Sequence, residues 1–89
     1  MIFYVYILYS FSFNRTYVGQ TDNLEDRLEN YHNAGKVRST KAYIPWVMIH
    51  SEKFSSRAEA MKKEKWFKSS TGRKLIKEIL QKYLETNPG

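Results

Sequence analysis

The tripeptides Tyr4-Val5-Tyr6 and Tyr17-Val18-Gly19 stand on either side of a short polar break. Both lie in β-type sequence, so they set two phenols on neighbouring strands. A candidate helix follows directly, with Arg27 on the shoulder of its apolar stripe beside Leu24 and Tyr31. A guanidinium there has two ordinary fates. It can clamp a phosphate bidentately over a cleft, or snorkel to water along its own stem. His32 and Asn33 close the helix, where an imidazole suits the helix dipole and, in a site, would serve as general base or phosphate donor.

Glu64 is the sharpest local anomaly. At 100° per residue it shares one narrow stripe with Ala60 and Phe67 on a later helix. A carboxylate on a core-facing stripe is costly unless it is paired or bound to a metal. An i→i+4 contact with Lys68 on a solvated edge answers the same pattern. Lys36, Arg38 and Lys41 stud the loop before Pro45, and Lys62, Lys63, Lys65 and Lys68 interleave with Trp66 and Phe67. Cations around an aromatic can grip a phosphate backbone while a base stacks, although a solvated helix face gives the same string.

The elements that must position these residues follow from periodicity and punctuation. Phe3 to Tyr9 reads as a strand, Ser10 to Arg15 as a polar connection and Thr16 to Gln20 as the return strand. Asp22 with Glu25 resembles a capping box for a helix over about Asn23 to His32, stopped by Asn33-Ala34-Gly35. A basic loop then leads to Pro45 and a third strand from Trp46 to His50 or slightly beyond. Ser56 with Glu59 opens a second helix to about Lys68, and Thr71-Gly72 is expected to break the chain. The last helix, about Arg73 to Leu84, carries Leu75, Ile76, Ile79, Leu80, Tyr83 and Leu84 on one stripe. The order is ββαβαα, an α+β domain over residues 1–85 with a frayed tail at 86–89.

The 89 residues leave room for one domain and one modest core, which 42% hydrophobic and 16% aromatic residues can fill. Cysteine is absent, which excludes disulfides, thiolate zinc sites and cysteine nucleophiles and suits a reducing cytoplasm. His32 and His50 do not make a zinc spacing. The N-terminus lacks the features of a signal peptide, and no apolar run approaches the roughly 18 residues that span a bilayer. The chain is expected to be soluble, off the membrane and monomeric. A formal charge of +6 favours a polyanionic partner, nucleic acid first. P-loop, G-x-G-x-x-G and G-x-S-x-G motifs are missing, which leaves nucleotide hydrolysis and serine-hydrolase chemistry without support.

The ordered set Tyr4-Val5-Tyr6, Tyr17-Val18-Gly19, Asn23-Leu24-x-x-Arg27-Leu28, Pro45-Trp46 and Arg57 through Lys68 resembles the GIY-YIG nuclease domain, in its small stand-alone form. That domain is shared with the N-terminal half of the bacterial excision-repair incision enzyme and with homing endonucleases. The resemblance covers residues 2 to about 80. It implies a small three-stranded antiparallel sheet flanked by helices, and phosphodiester cleavage with one Mg²⁺ or Mn²⁺. It further implies that Tyr6 and Tyr17 are the motif tyrosines, that Gly19 lets the backbone approach the cleft, and that Glu64 is the sole metal carboxylate.

In this reading Tyr17 is the base. Free tyrosine has a pKa of about 10, so Arg27 or the metal must favour its phenolate. Arg27 holds the scissile phosphate and Tyr6 orients the water or the base. The resemblance places a His or Tyr four residues after the arginine; here Tyr31 holds that place and His32 follows it. Tyr4 stands where the family name has Gly, and Gln20 where the repair enzyme often has a basic residue. The implied function is a Mg²⁺-dependent DNA endonuclease of repair or recombination, with Lys36, Arg38, Lys41, Lys65 and Lys68 on the nucleic acid. The alternatives are a nucleic-acid-binding module of the same fold with weak or no cleavage, or an adaptor anchored by Trp46, Trp66 and Phe67.

Overall fold

A computed structural model describes residues 1–87. The first strand, β1 (Phe3–Ser10), is buried along almost its whole length, as its unbroken apolar and aromatic run requires of a central strand. It pairs antiparallel on one side with β2 (Arg15–Thr21) and on the other with β3 (Val47–Phe54), giving the order β2-β1-β3. The β1–β2 turn closes at Asn14, whose φ of 51° is one that asparagine tolerates better than most residues. The three-stranded antiparallel sheet flanked by helices that the sequence implied is therefore present, in the order ββαβαα.

Register sorts the side chains. Tyr6 lies opposite Gly19 and Leu8 opposite Tyr17, so these four share one face, while Val5 and Ile7 share the other with Val18. Against the second face pack α2 (Arg57–Phe67) and α3 (Ser70–Thr86), enclosing Phe3, Val5, Ile7, Val18, Ala60, Phe67 and Ile76. On the first face Tyr6, Leu8 and Trp46 are covered by Leu24, Leu28, Tyr43 and Ile44. Trp46 and Phe67 are core, at 3% and 0% exposure, so they are not available as anchors for a partner protein.

Three boundaries differ from the sequence expectation. The first helix, α1 (Leu24–Arg27 and a wider turn over Leu28–His32), is capped by Asn23 rather than Asp22: the Asn23 side chain accepts from the Asp26 N–H at 3.1 Å. The third strand begins at Val47 and runs on to Phe54, after a cis Ile44–Pro45 peptide. Thr71-Gly72 does not break the chain. Ser69 caps α3 through the Gly72 N–H at 3.2 Å, so both residues lie in the helix's first turn. Gly72 is needed there for space, because a Cβ would run into the Trp66 carbonyl and the Phe67 backbone where α3 folds back on α2. Ser56 caps α2 as expected, through the Glu59 N–H at 3.2 Å. Thr86 is still helical and Asn87 follows it as the cap; the rest of the expected tail lies outside the described residues.

Candidate active site

Tyr6, Tyr17 and His32 meet over the first face of the sheet. The Tyr6 hydroxyl lies 2.8 Å from His32 Nε2, and His32 Nδ1 lies 2.9 Å from the Thr40 hydroxyl. Tyr17 stands against both rings, its centroid 6.4 Å from Tyr6 and 5.0 Å from His32, with Trp46 behind it at 6.4 Å. Tyr6, His32 and Thr40 are buried, whereas Tyr17 is half-buried. Among the described residues none hydrogen-bonds the Tyr17 hydroxyl, which leaves it the phenol free to meet a ligand.

The backbone of α1 decides between Tyr31 and His32. After Arg27 the helix widens to i→i+5 hydrogen bonds, with the Asn33 N–H on the Leu28 carbonyl at 2.8 Å and the Lys36 N–H on the Tyr31 carbonyl at 2.9 Å. The extra residue in the turn shifts the inward position on by one, as such bulges do at functional sites. His32 takes the inward place, and Tyr31, at 39% exposure, is turned outward. There its ring lies under the Arg27 guanidinium, 4.9 Å away, with the Lys36 ammonium at 5.9 Å.

The loop after α1 is pinned rather than loose. Asn33 clamps the backbone of Trp46, accepting from its N–H and donating to its carbonyl at 2.9 Å. The Trp46 indole donates to the Thr40 carbonyl at 2.9 Å. The Thr40 hydroxyl donates to the Val37 carbonyl at 3.4 Å, which leaves its oxygen to accept from His32 Nδ1–H. Assigned from this network, His32 Nε2 is the acceptor for the Tyr6 O–H.

Electrostatics agrees with that assignment. Burial pushes the Tyr6 hydroxyl up to about 12, against the pull of Arg27 and with the neighbouring Tyr17 and Glu64 adding to the rise. Burial, helped by Arg27, lowers His32 to about 4, so its imidazole is neutral at pH 7. Arg27 thus acts on both groups, and Glu64 reaches the same place from α2. Arg27 is half-buried: its Nε is enclosed without a hydrogen-bond partner, while its guanidinium acts on the Tyr6 hydroxyl and covers the Tyr31 ring. Gly19 is explained by close approach, since a Cβ there would overlap the Tyr6 hydroxyl and stand 2.6 Å from Tyr6 Cζ.

Glu64 keeps both readings. Its Oε2 pairs with Lys68 Nζ at 3.0 Å, and its side chain remains 24% exposed. No cluster of three or more His, Cys, Asp or Glu exists among the described residues. A single accessible carboxylate suits a hard cation that keeps most of its waters. Lys36, Arg38, Lys41, Lys65 and Lys68 are all exposed. Lys36 adjoins Arg27 through Tyr31, and Lys68 adjoins Glu64. Arg38, Lys41 and Lys65 make no ion pair among the described residues. Thr40 escaped the sequence reading because a lone threonine in a basic loop carries no periodic signal.

The chain matches the GIY-YIG catalytic domain family over residues 2–77. It belongs to the GIY-YIG family. Similar chains include a UPF0213 protein of Staphylococcus haemolyticus, 40% identical over 77 residues, covering 85% of this chain and 92% of that one. UPF0213 protein YsiG of Lactococcus lactis is 38% identical over 93 residues, covering 93% and 88%. The solution NMR structure of a UPF0213 protein from Bacillus halodurans superposes with a TM-score of 0.52 at 25% identity, over 89% of this chain and 85% of that chain. GIY-YIG membership supports a nuclease-type function and implies a nucleic-acid substrate. No helix among the described residues is long and apolar enough to cross a membrane.

Proposed function

We propose that this GIY-YIG domain is a metal-dependent endonuclease that hydrolyses phosphodiester bonds in DNA, in repair or recombination. The observation that carries the reading is the buried, unpartnered Arg27 Nε beside the Tyr6–His32 pair and the free Tyr17 hydroxyl. A half-buried cationic side chain with an unpaired Nε donor, acting on Tyr6 beside the unengaged Tyr17 phenol, fits a phosphate oxyanion with water in line.

Each side chain then has a task. Arg27 binds the scissile phosphate and neutralises the charge that grows on it. Tyr17 takes the proton of the attacking water. Tyr6, protonated at any physiological pH, donates to His32 and offers its oxygen lone pairs to orient that water. His32, neutral and anchored by Thr40, fixes the direction of the Tyr6 hydroxyl. Glu64 would hold Mg²⁺ or Mn²⁺, which supplies Lewis-acid stabilisation of the leaving oxygen when bound. Loading it requires Lys68 to swing away from the carboxylate, an easy motion for a side chain 54% exposed.

The second reading is a nucleic-acid-binding module with little or no cleavage, and the Glu64–Lys68 pair favours it. Supercoiled plasmid and a branched oligonucleotide, with Mg²⁺, Mn²⁺ or EDTA, separate the two. The native chain is expected to nick, and Tyr17→Phe and Glu64→Gln to lose about a hundred- to a thousandfold in rate, the size of effect seen when one transition-state contact is removed. Nicking that persists in EDTA or in both variants overturns the mechanism. Salt-dependent binding without cleavage establishes the module instead.

A further inference from the structure

A cavity of about 680 Å³ opens along the free edge of β2, between that strand and the α2–α3 hairpin, with Tyr17 at its wall. Its apolar floor is the half-buried Leu80 with the outer edges of Val18 and Ile76, and the fully buried Phe67 backs them. Three cations, Lys68, Arg73 and Lys77, stand at its rim. Asn14 and Thr16 supply polar groups on the strand side. We propose that this cavity takes one unpaired nucleotide of the strand being cut, its base on the apolar floor and its phosphates on Arg73, Lys77 and Lys68.

The size is that of a small-molecule site. Arg73 and Lys77 are one helical turn apart on α3, where like charges repel by a few tenths of a kcal/mol. Neither makes an ion pair among the described residues, so a phosphate between them relieves a repulsion that the fold otherwise carries. Because β2 lies at the sheet's edge, its outward backbone N–H and C=O groups are unpaired by any neighbouring strand and can read a base edge. The position matters as much as the chemistry. Tyr17 belongs to both the cavity wall and the Tyr6–His32 cluster. A nucleotide lodged in the cavity therefore touches Tyr17, the phenol that the cleavage reading sets at the attacking water. A base can lie on Leu80 and the edges of Val18 and Ile76 only after leaving its stack, which costs least where it is already unpaired. Substrates that present an unpaired nucleotide beside the cut should bind better than continuous duplex.

The inference rests on the nuclease reading for its substrate class, but its test needs no turnover. Short fluorescent oligothymidylate and a blunt duplex are titrated with the full chain in EDTA, by anisotropy at several salt concentrations. Arg73→Ala/Lys77→Ala is compared with Lys53→Ala/Lys74→Ala, a pair of equal charge loss away from the cavity. The cavity pair is expected to weaken single-strand binding by about tenfold, with a salt dependence shallower by about 0.7 for each phosphate that is no longer neutralised. Duplex binding should change less than about threefold, and the control pair should affect neither by more than that. 2-Aminopurine within the bound strand should brighten at one position and lose that signal in the cavity pair. Equal weakening of both ligands, or an equal effect of the control pair, overturns the proposal. If the cavity pair discriminates while the native chain cuts nothing, cleavage fails and the nucleotide site stands; if Tyr17→Phe abolishes nicking without any discrimination, only the site fails.

Discussion

The two faces of the sheet are built from opposite materials. Under α2 and α3 lie Phe3, Val5, Ile7, Val18, Ala60, Phe67 and Ile76, a core without a hydroxyl or a charge. Under α1 and its loop lie Tyr6, His32, Thr40 and Trp46, each hydrogen-bonded, with Tyr17 at the wall and Arg27 short of a partner. Both faces grow from the same strand, since β1 alternates Val5 and Ile7 on one side with Tyr6 and Leu8 on the other. Burial of apolar area stabilises the first face, while on the second much of the enclosed volume goes to polar groups whose net contribution to stability is small. The chain thus draws the larger share of its thermodynamic stability from one side and leaves the other side, with its smaller apolar cluster, to hold groups for a ligand.

Truncation of the apolar core should give the largest response. Phe67→Ala removes a fully buried ring from between α2, the sheet and α3, and is expected to cost about 3–5 kcal/mol, readable as a fall in urea midpoint. Arg27→Met keeps the stem and removes an unpartnered buried donor, so stability should move by less than about 1 kcal/mol while cleavage and phosphate affinity collapse. Equal destabilisation by the two substitutions would break the division between the faces.

Gly19 tests the polar face more finely. Its Cβ would overlap the Tyr6 hydroxyl, and Tyr6 is held by sheet, helix and His32, so it cannot easily turn aside. Gly19→Ala should cost about 2–3 kcal/mol by overpacking. Tyr6→Phe in the same chain removes the first atom met, so the double variant should lose less than the sum of the single ones. Strict additivity would mean that Gly19 serves the backbone and not the phenol.

Much of this division was legible in the residues, and the parts that were not share a cause. The first two strands, the cap at Ser56 and the stripe of α3 are local patterns, and they appear where periodicity puts them. Asp22 and Asn23 are both good caps, and only the path of the chain out of β2 selects Asn23. Gly72 reads as a breaker because helices disfavour glycine, yet its role is the approach of α3 to Trp66 and Phe67, a tertiary contact. The widened turn of α1 is of the same kind. Nothing in Leu28 to His32 demands it locally; bonds to Tyr6 and Thr40, far along the chain, hold His32 inward. Family resemblance left Tyr31 and His32 as alternatives for that reason.

The smallest effect is also the most specific to the polar face. His32 is held at about 4 by burial and by Arg27, against 6.5 for the free side chain. Between these values the unfolded chain binds a proton that the folded chain refuses, so acid favours unfolding. The stabilising effect of keeping His32 neutral is therefore complete above pH 6.5 and is lost as pH falls towards 4. Denaturant unfolding of the native chain should lose about 2 kcal/mol between pH 7 and 4.5 from this group. Carboxylates add their own slope below pH 5, and His32→Gln isolates the His32 imidazole because the variant keeps every carboxylate and His50. The variant's curve should be flatter by that amount, most clearly from pH 6.5 to 5, where carboxylates are still ionised. If the two curves run parallel, His32 titrates as it would in water. The Tyr6–His32–Thr40 chain would then be open to solvent, and the second face would be an exposed polar surface instead of a closed core.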